Sequence, residues 1–95
     1  MNPDVFPIAL FRLGRIVATA HALEVIPNED ILRAIARHQA GDWGVLPAED
    51  LIANNKSLIE GSRLLSAYHS VQGVKFWLIT EGDRSITTVL LPEDY

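Results

Sequence analysis

No cysteine occurs anywhere in the chain, which removes the disulfide framework, the thiolate metal site and the cysteine nucleophile together. That composition suits a reducing cytoplasm, the compartment expected. Positive charge is also scarce: eight Lys and Arg stand against twelve Asp and Glu, a formal charge of −4. A non-specific nucleic-acid binder carries a basic stripe; here any phosphate contact rests on a few local Arg or Lys residues. Apolar runs fall far short of the roughly 20 residues of a membrane span, so no membrane partner is expected. An acidic residue, Asp4, precedes the first apolar stretch, and Arg12 and Arg15 follow it. A secretory leader has the reverse order. There is no HExxH, no phosphate-binding glycine loop, no GxSxG and no pair of carboxylates at catalytic spacing. His21, His38 and His69 are scattered without a liganding pattern, so the expectation is no metal and no cofactor.

What is present is apolar residue in abundance, 48% of 95 positions, enough for one small core. Residues 1–95 read as a single domain with no repeat or linker. Pro3 and Pro7 deny a regular helix to an extended lead-in over residues 1–12. A first strand is expected over Leu13–Thr19, carried by Ile16 and Val17. Thr19 then caps a short helical turn that Pro27 stops. Asn28 is the next cap, with Glu29 and Asp30 at the positive helix end and Ile31, Ile35 and His38 at i, i+4, i+7 until Gly41. After the loop Gly41-Asp42-Trp43-Gly44, Pro47 opens a third helix that Gly61 closes. Strands follow at Arg63–His69, Val74–Glu81 and Ser85–Leu91. The class is α+β: an N-terminal strand, two to three helices, then a three-stranded antiparallel meander with the helices on one sheet face.

Gly82-Asp83 is a turn pair suited to a two-residue hairpin loop. That register sets Glu81 against Arg84, Thr80 against Ser85 and Trp77 against Thr88. One face then holds Val74, Phe76, Leu78, Thr87, Val89 and Leu91, an ordinary core face. The other holds Lys75, Trp77, Ile79, Ile86, Thr88 and Leu90, a mixture suited to a working surface or a second packing layer. Alternation puts Ser66 and Tyr68 with Leu64, and Arg63 with Leu65 and Ala67.

Several polar residues admit two roles. His38, on an apolar helix face four residues before Asp42, suits a general base near neutral pH; equally it suits a ring that caps helix carbonyls and packs on the core. Asp42 and Trp43 either line a pocket mouth or close a tight loop, Trp43 plugging the core and Asp42 binding loop amides. At least one of Asn54 and Asn55 falls on or beside a buried helix face, where an unpartnered amide costs about 1–3 kcal/mol; it is expected to clamp the Asp42–Gly44 loop or the sheet. Cross-strand pairing suits Arg84 to a surface ion pair with Glu81 and Thr80 to a hydroxyl pair with Ser85; alternatively Arg63, Lys75 or Arg84 meets a phosphate that a Thr or Tyr hydroxyl orients. Ser66, Tyr68, Thr80 and Thr88 supply hydroxyls.

The strings LGRIVAT, RHQAGDWG, the Asp50 and Asn54 pair, GSRLLSAY and FWLITEGDRSITTVLLPEDY resemble a family of small bacterial proteins of about a hundred residues, found on chromosomes, plasmids and phages and usually labelled "plasmid-related". Some are labelled subunits of a restriction system. The likeness runs from Leu13 to Tyr95; Ala20–Ala34 is generic. The label implies association with mobile elements and no established activity. At the level of element order, the chain is also similar to barnase-like and toxin-type ribonucleases. That likeness implies metal-independent cleavage of RNA by acid–base chemistry, with His38, Arg63, Tyr68, Arg84 and Thr88 as the catalytic set and Lys75 beside them. The preferred expectation is a non-catalytic accessory or interaction domain, monomeric or a small homo-oligomer, meeting a protein partner through Lys75, Trp77, Ile79 and Ile86. The ribonuclease is the alternative.

Overall fold

The computed structural model describes residues 8–95. Pro3 and Pro7, in the expected lead-in, lie outside the described residues. Beyond them the order of elements follows the punctuation of the chain. Strand β1 (Arg15–Ala18) gives way to helix α1 (Ala20–Val25) at Thr19, whose Oγ1 accepts the Ala22 N–H at 3.0 Å. Pro27 then denies helical geometry to Ile26, which ends α1. Helix α2 spans Asn28–Gln39 and is not capped by the Asn28 side chain; Pro27 holds the cap position, and its carbonyl accepts from Asp30 and Ile31. Glu29 and Asp30 lie at its positive end and Arg37 and His38 at its negative end, the arrangement the helix dipole favours. Helix α3 (Ala48–Glu60) closes on Gly61 in the left-handed conformation.

Strands β2 (Leu64–His69), β3 (Lys75–Thr80) and β4 (Ile86–Leu90) form the antiparallel meander, and β1 joins β4 in parallel to give the order β1-β4-β3-β2. β1 is shorter than expected because Gly14 turns the chain at φ +64°, against the Ser85 backbone. The β3–β4 register also differs from the expected one. Thr80 pairs with Thr87 and Trp77 with Leu90, so the loop is Gly82–Ser85 and not Gly82-Asp83 alone. Asp83 accepts the Ser85 N–H and hydroxyl, and Arg84 takes φ 61°. The slip is two residues, an even number, so each side chain keeps its expected face.

One face carries Leu64, Ser66, Tyr68, Phe76, Leu78, Thr80, Thr87 and Val89, all buried. Ala22 of α1, the cap residue Ile26 after it, and Ile31 and Ala34 of α2 pack on it, each large side chain contributing about 1.5–3 kcal/mol by burial. Helix α3 does not cover this face. It lies along the outer edge of β2, where the Asn54 amide donates to the Leu65 carbonyl and accepts the Leu65 N–H. Beside it, Trp43 O accepts from Ala67 N and Val45 N donates to Ala67 O. Both central outward-facing residues of the β2 edge are thereby hydrogen-bonded. A terminal 3-10 turn, Pro92–Asp94, folds back so that Tyr95 meets the Trp77 ring on the other face at 6.0 Å.

Candidate functional site

The covered face of the sheet holds a continuous buried polar chain. His38 of α2 faces Ser66 of β2 through Nδ1 and Thr80 of β3 through Nε2, the latter at 2.9 Å. Thr80 meets the Thr87 hydroxyl at 2.8 Å, and Thr87 meets the Leu13 carbonyl at 2.7 Å. All four side chains have no exposed surface. A carbonyl only accepts, so the Thr87 proton goes to Leu13. Thr80 must then donate to Thr87, His38 Nε2–H to Thr80, and Ser66 to an unprotonated Nδ1. Satisfaction of one carbonyl fixes the tautomer of a ring two hydroxyls away. Burial, aided by the positive charge of Arg84, lowers the His38 pKa to about 4, which agrees with a neutral imidazole. The ring packs edge-on against Phe11 and Trp43 at 5.1 and 5.6 Å.

Around it the loop after α2 is closed by side chains. The Arg37 guanidinium donates to Asp42 at 2.7 and 3.2 Å and lies over the Tyr68 ring at 4.6 Å. This pairing holds the Asp42 carboxyl below the ordinary range. Asp42 also accepts the Gly44 N–H, while its backbone carbonyl accepts the Tyr68 hydroxyl at 2.6 Å. Burial pushes the Tyr68 phenol up to about 12. Trp43 Nε1–H donates to Asn55 at 2.9 Å, so the two adjacent asparagines divide the work: Asn54 binds the sheet edge and Asn55 the loop tryptophan. Nearby, Asp30, Arg33, Arg37, Tyr68, His69 and Val71 line a hollow of about 50 Å³, room for only a few waters.

The five residues of the proposed catalytic set are dispersed. His38 is sealed in the polar chain, and Tyr68 is spent on Asp42. Arg84 donates to the carbonyls of Ser57, Ser62 and Glu81, tying the β3–β4 loop to the end of α3; it forms no side-chain ion pair with Glu81. Arg63 pairs with Glu81 at 3.2 Å and donates to the Tyr95 hydroxyl at 2.9 Å. Thr80 bonds Thr87 in place of Ser85, a direct result of the shifted register. Thr88 stands on the opposite sheet face, half-buried with Trp77 and Ile86, where Lys75 is exposed and Ile79 and Leu90 are buried.

Thr80 as a partner of His38, and Thr87 behind Thr80, are not among the expected contacts; the alternation that puts both on the core face is the signal the sequence carries. A second cluster had no local signal. Asp94 accepts from the Thr19 hydroxyl at 2.7 Å and from Leu91 N–H, and meets His21 Nδ1 at 3.0 Å. The contact with Asp94 raises the His21 pKa. Some seventy-five positions separate the partners. Among the described residues no group of three or more His, Asp or Glu could hold a metal ion, and no helix is long and apolar enough to cross a membrane.

These features define an α+β domain with a sealed polar interior and a second sheet face that no helix covers, where Tyr95 folds over Trp77 and Ile79 and Leu90 are buried while Val17, Ile86 and Thr88 stay partly exposed. No family model, no curated protein and no solved structure matches the chain.

Proposed function

We propose that the protein is a non-catalytic interaction domain that meets a protein partner through the open face of its sheet. The observation that supports this reading is the inequality of the two faces. One is covered by α1 and α2, and its polar groups satisfy one another completely. The other offers Val17, Leu65, Trp77, Ile86 and Thr88, all half-buried, bordered by Lys75, Arg63 and a Tyr95 that is 72% exposed. Trp, Tyr and Arg together are the residues that carry most binding energy at protein interfaces, and a contiguous apolar patch with a polar rim marks an interaction site. In keeping with the resemblance to plasmid-related proteins, the protein would itself be a mobile-element-associated bacterial protein of the cytoplasm, its partner another protein or a second copy of the chain.

Capture of partners from bacterial lysate by immobilised protein tests it. A species retained by the wild type and by Ile59→Ser, a change on the outer face of α3, is expected to be lost with Trp77→Ala. Retention by Trp77→Ala would refute the surface. Cleavage of mixed RNA by the purified wild type, abolished by Arg63→Ala, would refute the non-catalytic reading.

A further inference from the structure

The two edges of the sheet are treated differently. At β2, the outward-facing residues Leu65 and Ala67 are hydrogen-bonded by Asn54 and by the Trp43–Val45 segment. At β1 the parallel ladder turns Arg15, Val17 and Thr19 toward β4, with Arg15 N–H on the Ser85 carbonyl and Thr19 N–H on the Val89 carbonyl. Ile16 and Ala18 therefore point their N–H and C=O groups away from the sheet, with no backbone partner among the described residues. The Ile16 side chain is 47% exposed. Proteins ordinarily blunt such an edge with a lysine, a proline or a bulge, or by keeping it short. β1 is short, but its sequence Arg-Ile-Val-Ala is apolar at the centre and holds neither lysine nor proline.

We infer that the partner for this edge is a second copy of the chain, joined β1 to β1 in antiparallel fashion about a twofold axis. The inference extends the interaction-domain reading to a specific partner, and it is carried by charge complementarity. Only one antiparallel register uses both outward residues of each copy: Ile16 opposite the partner's Ala18, with Val17 on the axis. It makes four backbone hydrogen bonds, two for each Ile16–Ala18 pair. It also seats a large side chain against a small one. In that register Arg15 stands opposite the partner's Thr19, whose hydroxyl is bonded to Asp94. Arg15 has no ion-pair partner within its own chain among the described residues, and Asp94 with neighbouring Glu93 supplies one across the interface. Parallel pairing would instead set Arg15 beside Arg15, a destabilising like-charge pair. The closed twofold form joins two four-stranded sheets into one and makes their open faces continuous through Val17.

Sedimentation equilibrium across a wide range of concentration tests the inference. The mass is expected to rise toward twice the 10.5 kDa of the chain. Ile16→Pro removes an outward N–H and leaves the internal ladder intact; it is expected to hold the mass at one chain. Arg15→Asp changes an exposed side chain that has no ion pair of its own among the described residues, and it is expected to weaken association at least tenfold even if the proline variant fails to fold. Trp77→Ala is expected to leave the dimer intact. A wild type that stays at one chain mass at every concentration would overturn the inference while leaving the open face to its own test. A dimer that survives Ile16→Pro and Arg15→Asp but is lost in Trp77→Ala would overturn the edge contact and support the face.

Discussion

A neutral imidazole with no access to water makes His38 a sensor of unfolding more than of its surroundings. Its folded pKa of about 4 lies below the ordinary value of 6.5. Between those values the unfolded chain binds the proton and the folded chain does not, so stability falls as pH falls through this window and is flat below it for this group. The full difference is about 3 kcal/mol, from roughly 1.4 kcal/mol for each pH unit. Denaturant unfolding of the wild type minus that of His38→Gln, followed from pH 7 to pH 4, is expected to show this loss. His21 works in the opposite sense, because Asp94 raises its pKa and its contribution fades as pH rises; the subtraction removes it. Nitrogen-15 imidazole shifts are expected to report a proton on Nε2 at neutral pH. Thr80→Val leaves that N–H without an acceptor and should cost about 1–3 kcal/mol in the same measurement. The spacing of α2 placed His38 on the buried face in advance. Its partners were hidden because they come from strands twenty-eight and forty-two positions away.

Elements were legible wherever a period of 2 or 3.6 ran uninterrupted, and their ends were not. Val74–Thr80 announces a strand by alternation, yet the register across the loop depends on Arg84. That residue enters a left-handed conformation and reaches the Ser57 and Ser62 carbonyls of another segment, a tertiary cause that turn preference does not contain. Asn54 likewise reads as a polar interruption of α3, and only the neighbouring β2 edge gives it meaning. Asn54→Ala is expected to lower stability by about 1–3 kcal/mol and to promote aggregation through the uncapped edge, seen as light scattering on warming. Two glycines separate conformational strain from steric room. Gly73 has φ +83° and open space where a Cβ would go, whereas Gly44 has φ +77° and meets the Ala67 carbonyl and the Tyr68 ring. Gly73→Ala should cost about 1–2 kcal/mol, the left-handed term alone. Gly44→Ala should cost clearly more in the same melt, since the bridge to β2 must open.

Across the whole molecule, stability is unevenly distributed. Helix α3 has thirteen residues and one buried side chain, Asn54, while Ile52 and Ile59 are 70% and 87% exposed. Local opening draws on such poorly packed segments. Amide exchange in α3 is therefore expected to run at least tenfold faster than in Phe76–Thr80, whose side chains are mostly buried; equal protection would show that α3 is held by more than its edge contacts. The fold class could be read from the order of elements, and the net charge already argued against broad affinity for nucleic acid. The pairing of β1 with β4 could not, because nothing local distinguishes a strand that joins an edge from one that joins the centre.

That pairing has a consequence for biosynthesis. β1 pairs with a strand made some seventy positions later, with Arg15 aligned to Ile86, and β4 is its one sheet neighbour among the described residues. At elongation speeds of about 5–20 residues per second, the nascent Ile16-Val17 segment waits roughly 4–14 s for its neighbour to be made. Until then it is an uncovered sticky ribbon on the ribosome, and a holding chaperone would find it there.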